Sequence, residues 1–138
     1  MRLFWEILEN GQAEITANIE GIIGYVSVDP EQLQRIFDNL LENSRKYGNV
    51  TPLKMKISVE RNKEGFCICF SDNGVGVPEE KIPYIFDELY RGDESRNKKE
   101  GNGLGLYIVR YLTEAMGGSV RAENAGGLAV YLELKEGE

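Results

Sequence analysis

Four polar side chains are spaced so that they share one flank of a predicted helix. They are Asn39, Asn43, Lys46 and Tyr47, and at 3.6 residues per turn they edge the apolar stripe rather than lie opposite it. A carboxamide oxygen is a hard ligand that suits Mg²⁺, a lysine can meet a phosphate as a point charge, and a tyrosine ring can lie against a nucleobase. The alternative interpretation is an ordinary solvated flank.

A second group of residues directly follows an apolar segment that is predicted to be a central strand. It reads Asp72-Asn73-Gly74-Val75-Gly76-Val77-Pro78. A carboxylate at a strand end can accept a hydrogen bond from an adenine amino group, and the glycines permit positive φ and close approach of the backbone. The same residues would also suit an Asx turn with no ligand.

A third group, Gly101-Asn102-Gly103-Leu104-Gly105-Leu106, opens a predicted helix. A helix start offers free amides and the favourable end of the helix dipole to a phosphate. Its spacing does not fit a dinucleotide fingerprint, because Leu106 occupies the place of the last glycine and a polar loop precedes the group. The Gly-Lys-Ser/Thr of a P-loop and the His-Arg-Asp and Asp-Phe-Gly of protein kinases are absent from the sequence.

Composition restricts the partners and the chemistry. The 138 residues fit a single domain spanning 1–138. The formal net charge of -7 argues against nucleic acid as the main partner. The absence of histidine excludes a histidine nucleophile or metal ligand within this chain. Cys67 and Cys69 are predicted to be packed, reduced thiols rather than a metal pair. No signal peptide or spanning segment is visible, so we expect a cytoplasmic domain without direct membrane contact.

Hydrophobic spacing predicts the elements that must position these groups. Asp29-Pro30 suits a helix start, since Asp caps free amides and Pro fits the first turn. The sequence predicts helices near 3–8, 30–47, 79–86 and 104–116, strands near 12–18, 24–28, 53–59, 66–70, 119–123 and 128–134, and a long loop over 88–102. Because several strands alternate between apolar and polar residues, we expect a two-layer α+β sandwich rather than a doubly wound sheet.

Together these stretches resemble the N, G1, F and G2 boxes of the ATP-binding catalytic domain of sensor histidine kinases, which belongs to the Bergerat-type ATPase/kinase superfamily. The F box match is Ile85-Phe86-Asp87, followed by Tyr90-Arg91. The resemblance covers about Tyr25 to Leu134, with all four motifs in the family's order. It implies the Bergerat fold, in which a mixed sheet carries helices on one face, and it implies ATP and Mg²⁺ as ligands.

The resemblance also implies roles for individual residues. Asn43 would ligate Mg²⁺, Asn39 would support the phosphate or metal end, and Lys46 would contact phosphate. Tyr47 would line the adenine, and Asp72 would bind the adenine amino group.

Glycines and a lid complete the implied site. Gly74 and Gly76 would shape its floor, and residues 87–102 would form the ATP lid. Within and after the lid, the implied contacts are those of Arg91, Arg96, Gly101, Gly103, Leu104 and Gly105.

The sequence also indicates which member of the superfamily this chain resembles. Its ATP hydrolases carry a general-base Glu four residues before the metal-binding Asn, and here Asn39 holds that place. An amide cannot take a proton, and Glu42 points about 100° away from Asn43, so transfer to an external nucleophile is favoured over hydrolysis.

The acceptor must lie elsewhere, because the chain has no histidine. The resemblance implies a histidine on a separate helical dimerisation domain, in an upstream segment or another chain, and a response regulator reached through it. Two alternatives remain open at this point. One is a stand-alone protein serine kinase resembling anti-sigma-factor kinases, and the other is an interaction module that keeps the fold without catalysis.

Overall fold

The computed structural model describes residues 13–18, 29–47, 50, 52–88 and 105–135, with the first of these ranges described in its backbone only. The helix predicted near 3–8, the strand predicted near 24–28 and the loop from 89 onward lie outside the described residues. The described elements are β1 (Ala13–Asn18), α1 (Pro30–Tyr47), β2 (Leu53–Arg61), β3 (Gly65–Asp72), a 3₁₀ helix (Glu79–Tyr84), α2 (Gly105–Ala115), β4 (Ser119–Asn124) and β5 (Leu128–Lys135).

The described strands form one mixed sheet in the order β1-β2-β3-β5-β4. β1 runs parallel to β2, with Ala13 opposite Leu53, and the connection between them contains α1, as a parallel crossover usually does. The other neighbouring strands are antiparallel. The expectation that the apolar run in β3 is a central strand is confirmed.

The predicted start of α1 is confirmed in its details. The Asp29 carboxylate accepts a hydrogen bond from the Glu31 amide at 2.9 Å, and the Asp29 carbonyl accepts one from the Leu33 amide at 3.0 Å. Asp29 therefore caps the helix, and Pro30 occupies the first position, where a missing N–H costs nothing.

The hydrophobic core lies between one face of the sheet and the two described α-helices. Phe66, Ile68 and Phe70 of β3 are buried, whereas Cys67 and Cys69 between them are only partly buried. The main core residues are Ile36, Leu40 and Leu41 of α1, Leu106, Val109 and Leu112 of α2, and Met55, Ile68, Phe70, Val130, Leu132 and Leu134 of the sheet. The predicted two-layer arrangement, with helices on one face, is confirmed. Neither described α-helix is long and apolar enough to cross a membrane.

The helix predicted over residues 79–86 differs in type and length. It is a 3₁₀ helix that ends at Tyr84, and Pro83 lies inside it. Proline lacks the N–H that a longer α-helix would need. Ile85 and Phe86 follow the helix and are buried, with 2% and 7% of their surfaces exposed, so they anchor this segment to the core.

The opposite face of the sheet carries a polar network. The Arg121 guanidinium stacks on the Tyr131 ring at 4.0 Å, and the Tyr131 hydroxyl donates to Glu123 Oε2 at 2.9 Å. Cys67 and Cys69 are free thiols on this face. Burial, followed by a hydrogen bond to Glu133, raises the pKa of the Cys67 thiol from 9.0 to about 12. Burial also raises the pKa of Cys69, in keeping with packed, reduced thiols.

Candidate nucleotide-binding site

The Asp72 carboxylate accepts hydrogen bonds from three separate parts of the chain. The Ser44 hydroxyl of α1 donates to Oδ2 at 2.6 Å. The Gly74 amide donates to Oδ1 at 2.8 Å, and the Leu128 amide at the start of β5 donates to the same atom at 3.2 Å. The carboxylate is therefore fixed in orientation, and toward a ligand it can act only as an acceptor.

The strand itself explains why this carboxylate lies beside the helices. Asp72 is two residues after Phe70, on the same face of β3, because side chains alternate along a strand. Asn73 then extends the pairing of β2 with β3, since its Oδ1 accepts from the Lys54 amide at 2.7 Å. The Gly74–Asp72 bond is the Asx turn that the sequence left open as an alternative, and it coexists with the contact to α1.

Gly127 lies close to Asp72. Its φ is +145°, and a Cβ added to it would collide with the Asp72 backbone oxygen and lie 2.8 Å from Oδ1. The residue was not singled out from sequence, because it belongs to a distant hairpin and the pairing of β3 with β5 brings it here. A side chain at this position would displace the carboxylate.

Asn124, at the end of β4, holds the turn after Asp72. Its Nδ2 donates to the Val77 carbonyl at 2.5 Å and to Glu79 Oε1 at 2.9 Å, and its Oδ1 accepts from the Val77 amide at 2.9 Å. Gly76 in this turn has φ +75°, and a Cβ there would lie 2.6 Å from Asn124 Oδ1. Gly76 therefore meets the expected need for positive φ.

The predicted polar flank of α1 is not simply solvated. Asn39, Asn43 and Lys46 are partly buried, and Tyr47 is 38% exposed. The Asn39 Nδ2 atom is buried, yet it has no hydrogen-bond partner within the described part of the chain. Because an unpaired buried donor is costly, this amide is suited to an acceptor from a ligand.

Gln32 is a further candidate that sequence reasoning missed. Its Oε1 is likewise buried and unpaired among the residues described. It precedes Asn39 by seven residues, which places it only about 20° from Asn39 around the helix. A heptad spacing of Gln and Asn was the signal that could have found it.

Glu42 is engaged elsewhere. Its Oε1 accepts a hydrogen bond from Arg45 Nη2, three residues later on α1. This ion pair engages the carboxylate that neighbours Asn43 on the helix.

The F box joins the core to the start of the predicted lid. Beyond the buried Ile85 and Phe86, Asp87 Oδ1 lies 3.7 Å from Arg110 Nη1 of α2. The predicted contacts Arg91, Arg96, Gly101, Gly103 and Leu104 lie outside the described residues. Gly105 begins α2, and a Cβ there would have no heavy atom of the described residues within 4 Å. The described part of the fold therefore does not require glycine at 105.

The donors on α1 suit magnesium better than a transition metal. Among the described residues, no group of three or more His, Cys, Asp or Glu side chains could hold a metal. Amide oxygens are hard ligands, and Mg²⁺ keeps several waters and takes phosphate oxygens as partners. Asn43, one helical turn from the buried Asn39 amide that lacks a partner in the described ranges, fits such a site when phosphate and water supply the remaining oxygens.

The chain is similar to known proteins over most of its length. Residues 28–138 match the family model described as "Histidine kinase-, DNA gyrase B-, and HSP90-like ATPase". The chain is 38% identical over 114 residues to the signal transduction histidine-protein kinase AfsQ2 of Streptomyces coelicolor. The matched region covers 81% of this chain and 21% of AfsQ2. It is 31% identical over 128 residues to the sensor histidine kinase WalK of Bacillus subtilis, and that match covers 89% of this chain and 20% of WalK. The chain thus spans about a fifth of the length of these relatives.

Solved structures share the fold. The mycobacterial sensor histidine kinase MprB superposes with a TM-score of 0.81 at 22% identity, covering 98% of this chain and 91% of that one. The catalytic domain of histidine kinase ThkA superposes with a TM-score of 0.80 at 23% identity, covering 98% and 88%. The relatives described here are sensor histidine kinases, so the alternative of an anti-sigma-factor-type kinase is not favoured. The chain belongs to the histidine kinase-, DNA gyrase B- and HSP90-like ATPase family, within which it matches the ATP-binding catalytic domain of sensor histidine kinases.

Proposed function

We propose that this chain binds Mg-ATP and transfers the γ-phosphoryl group to a histidine on a separate helical dimerisation domain. One observation carries the proposal. The Asp72 carboxylate accepts from three donors, one of which is the Ser44 hydroxyl. Ser44 follows Asn43 on the helix that also bears the buried Asn39 amide, which has no partner among the described residues. The Asp72 carboxylate, which could accept from a base, is therefore joined to α1, which carries the Asn39 amide that could donate to a phosphate.

The adenine end would be formed at the end of β3. Asp72 would accept the hydrogen bond of the adenine amino group, and the partly exposed Tyr47 ring would lie against the base. Gly74 and Gly76 would form the floor, where the turn is fixed by the Asp72 and Asn124 side chains. A site for adenine needs an acceptor with a fixed orientation for the amino group of the base, and Asp72 would supply it.

The phosphate end would be formed on the flank of α1. Asn39 Nδ2, which lacks a partner among the described residues, would donate to a phosphate oxygen, and Lys46 would add a positive charge. Asn43 would hold Mg²⁺ through its amide oxygen. When bound, the ion would neutralise charge on the phosphates during transfer.

The lid would complete the site. Arg91 and Arg96 would supply cations to the phosphates, while Gly101, Gly103, Leu104 and Gly105 would bring the backbone close to them at the start of α2. The ion pair between Asp87 and Arg110 would tie the first residue of the lid to that helix.

The reaction proposed is a displacement at the γ-phosphorus. The bond from this phosphorus to the β–γ bridging oxygen breaks, ADP carries away that electron pair, and a new bond forms to an imidazole nitrogen of the acceptor. Positioning and charge neutralisation supply most of the rate. The Asn39 amide cannot take a proton, so Asn39 would not activate water for hydrolysis. The acceptor and a response regulator that uses its phosphohistidine would lie on other segments or chains, because this chain has no histidine.

We extend the proposal to residues 1–138 as one ATP-binding unit that works on the cytoplasmic side, where ATP is available. Isothermal titration calorimetry of the chain with ATP, with and without Mg²⁺, tests binding. Incubation with γ-labelled ATP and a separately purified histidine-bearing helical domain of the parent kinase tests transfer. Label that reaches the helical domain only when the chain is present supports the proposal. Folded protein that gives no heat at millimolar Mg-ATP would contradict it and favour a non-catalytic interaction module.

A further inference from the structure

We infer that Ser44 is a specificity-determining residue, which acts by positioning Asp72 so that the site selects a purine with an amino group at C6. The inference rests on the proposed function, since it assumes that Asp72 contacts the base. Ser44 lies on α1 and is not among the predicted contact residues. It is 28 residues from Asp72 in sequence.

The contact between the two residues is short and sheltered. Ser44 is 6% exposed, and its hydroxyl lies 2.6 Å from Asp72 Oδ2, at the short end of the range for hydrogen bonds between oxygens. Hydrogen bonds to a carboxylate are among the stronger ones in proteins. The Gly74 and Leu128 amides bind the other oxygen, so Ser44 alone among these donors orients Oδ2.

The polarity of this pair determines which bases fit. The Ser44 hydroxyl has a single proton, and that proton is directed to Asp72. Toward a ligand, Ser44 Oγ and the carboxylate therefore present only lone pairs. The C6 amino group of adenine can donate to such a pair. The C6 carbonyl of hypoxanthine or guanine is itself an acceptor, so it would form no hydrogen bond here and would be repelled. Sites that pair a substrate N–H discriminate strongly against an analogue that lacks it.

Removal of the hydroxyl would weaken this discrimination. Without Ser44 as a donor, Oδ2 loses its fixed orientation and a water molecule can take the vacated position. Water can donate to a carbonyl oxygen as well as accept from an amino group, so the keto bases would be rejected less. The expected loss is that of one charge-assisted hydrogen bond, which corresponds to a change of about tenfold in relative affinity.

The test compares ATP with inosine triphosphate, which replaces the C6 amino group by a carbonyl. Calorimetry with Mg²⁺ should show that Ser44→Ala reduces the preference for ATP about tenfold, while Ser44→Thr, which keeps the hydroxyl, largely retains it. Ser44→Cys keeps the shape with a weaker donor and should show a reduced preference as well, which secures the test should the alanine variant not fold.

Thr113 offers a matched control for the loss of a buried hydroxyl. It is fully buried, and its Oγ1 donates to the Val109 carbonyl at 2.7 Å within α2. Thr113→Val should lower thermal stability without changing the ratio of affinities for ATP and inosine triphosphate. An equal loss of preference in the Thr113 variant would overturn the inference, because destabilisation alone would then explain the effect at Ser44.

A double-mutant cycle separates this inference from the proposed function. Ser44→Ala should have no effect on base preference in an Asp72→Asn background, because Ser44 acts through the carboxylate. If Asp72→Asn by itself leaves base preference unchanged, the proposed reading of adenine fails, and the inference fails with it. If Asp72→Asn abolishes the preference but Ser44→Ala does not reduce it, the proposed function stands and the inference about Ser44 is wrong.

Discussion

The Asn124 side chain pairs with both backbone polar groups of Val77, accepting from its amide at 2.9 Å and donating to its carbonyl at 2.5 Å. Asn124 ends β4, which lies at the edge of the described sheet, and it holds the turn that follows Asp72. Asn124 and Val77 are 47 residues apart in sequence. The turn is fixed from both sides, by Asp72 at Gly74 and by Asn124 at Val77. These hydrogen bonds within the protein fix the floor of the proposed adenine site, and a fixed floor would lower the entropic cost of binding.

Asn124→Ala should weaken both the fold and nucleotide binding. It leaves the partly buried Val77 amide and carbonyl without their Asn124 partners, and the loss of a typical hydrogen bond costs about 0.5–1.5 kcal/mol. Urea denaturation measures the stability, and calorimetry measures the affinity for ADP. We expect the affinity to fall because Gly76 and its neighbours lose their fixed position.

Asn62→Ala is the control for this prediction. Asn62 Oδ1 accepts from the Glu64 and Gly65 amides in the turn between β2 and β3, at the other end of β3 from Asp72. This variant should lose stability and keep its affinity for ADP. Equal affinities for ADP in the Asn124 variant and the original chain would contradict a role of Asn124 in the site.

Asn43→Ala should remove most of the gain in ATP affinity that Mg²⁺ provides. The loss of one ligand to a bound cation should cost about ten- to a hundredfold in affinity. Titrations with and without Mg²⁺ separate this effect from a general loss of binding. Arg45→Ala, on an exposed part of the same helix, serves as the control. An unchanged dependence on Mg²⁺ in the Asn43 variant would remove its role as a ligand.

Gly127→Ala and Gly105→Ala should differ sharply. A Cβ at Gly127 would collide with Asp72, whereas one at Gly105 would have none of the described residues' heavy atoms within 4 Å. We therefore expect Gly127→Ala to lower the melting temperature and to abolish adenine preference, because the carboxylate must move. Gly105→Ala should leave the melting temperature unchanged or raise it slightly, since Ala favours helices.

Nucleotide binding then distinguishes two roles of Gly105. A large loss of ATP affinity in Gly105→Ala, with stability intact, would support the proposed close approach of the backbone to the phosphates. Full affinity would show that a side chain is tolerated there and would contradict that role. Circular dichroism and calorimetry on the same samples provide both measurements.

The cysteines give a prediction about pH. Burial raises the pKa of Cys67 from 9.0 to about 12, so the folded protein binds this proton more tightly than the unfolded chain does. The resulting stabilisation is complete below pH 9, declines once the unfolded thiol ionises, and is lost as the pH rises through about 12. A hydrogen bond to Glu123 raises the pKa of Tyr131 to about 12, which acts in the same direction.

Alkylation tests whether the folded chain keeps the Cys67 thiol protonated. At pH 9, iodoacetamide should react slowly with the native chain and rapidly with the chain in denaturant, because only the thiolate is the nucleophile. Mass spectrometry of the peptide that contains Cys67 gives the rate. Similar rates in the folded and unfolded states would contradict a raised pKa.

The sequence alone predicted most of the elements that the structure describes, and it named candidate site residues whose roles stay predictions. Asp29 and Pro30 marked the start of α1, the alternation in β2 predicted one wet face, and the run from Phe66 to Phe70 predicted a central strand. These predictions succeeded because capping, side-chain periodicity and burial depend on neighbours in sequence. The segment after Pro78 was predicted less well, because Pro83 favours a short 3₁₀ helix over a longer α-helix.

The tertiary structure decided which residues support Asp72. Ser44, Asn124 and Gly127 carry no local signal, since a serine in a helix, an asparagine at a strand end and a glycine in a hairpin are common. Their roles arise from the packing of α1 on the sheet and from the pairing of β5 with β3 and β4. Hydrogen bonds and steric contacts between distant segments depend on register and distance, and these are properties of the folded chain. The sequence thus determined the family and the elements, and only the fold determined how the proposed base-reading carboxylate is held.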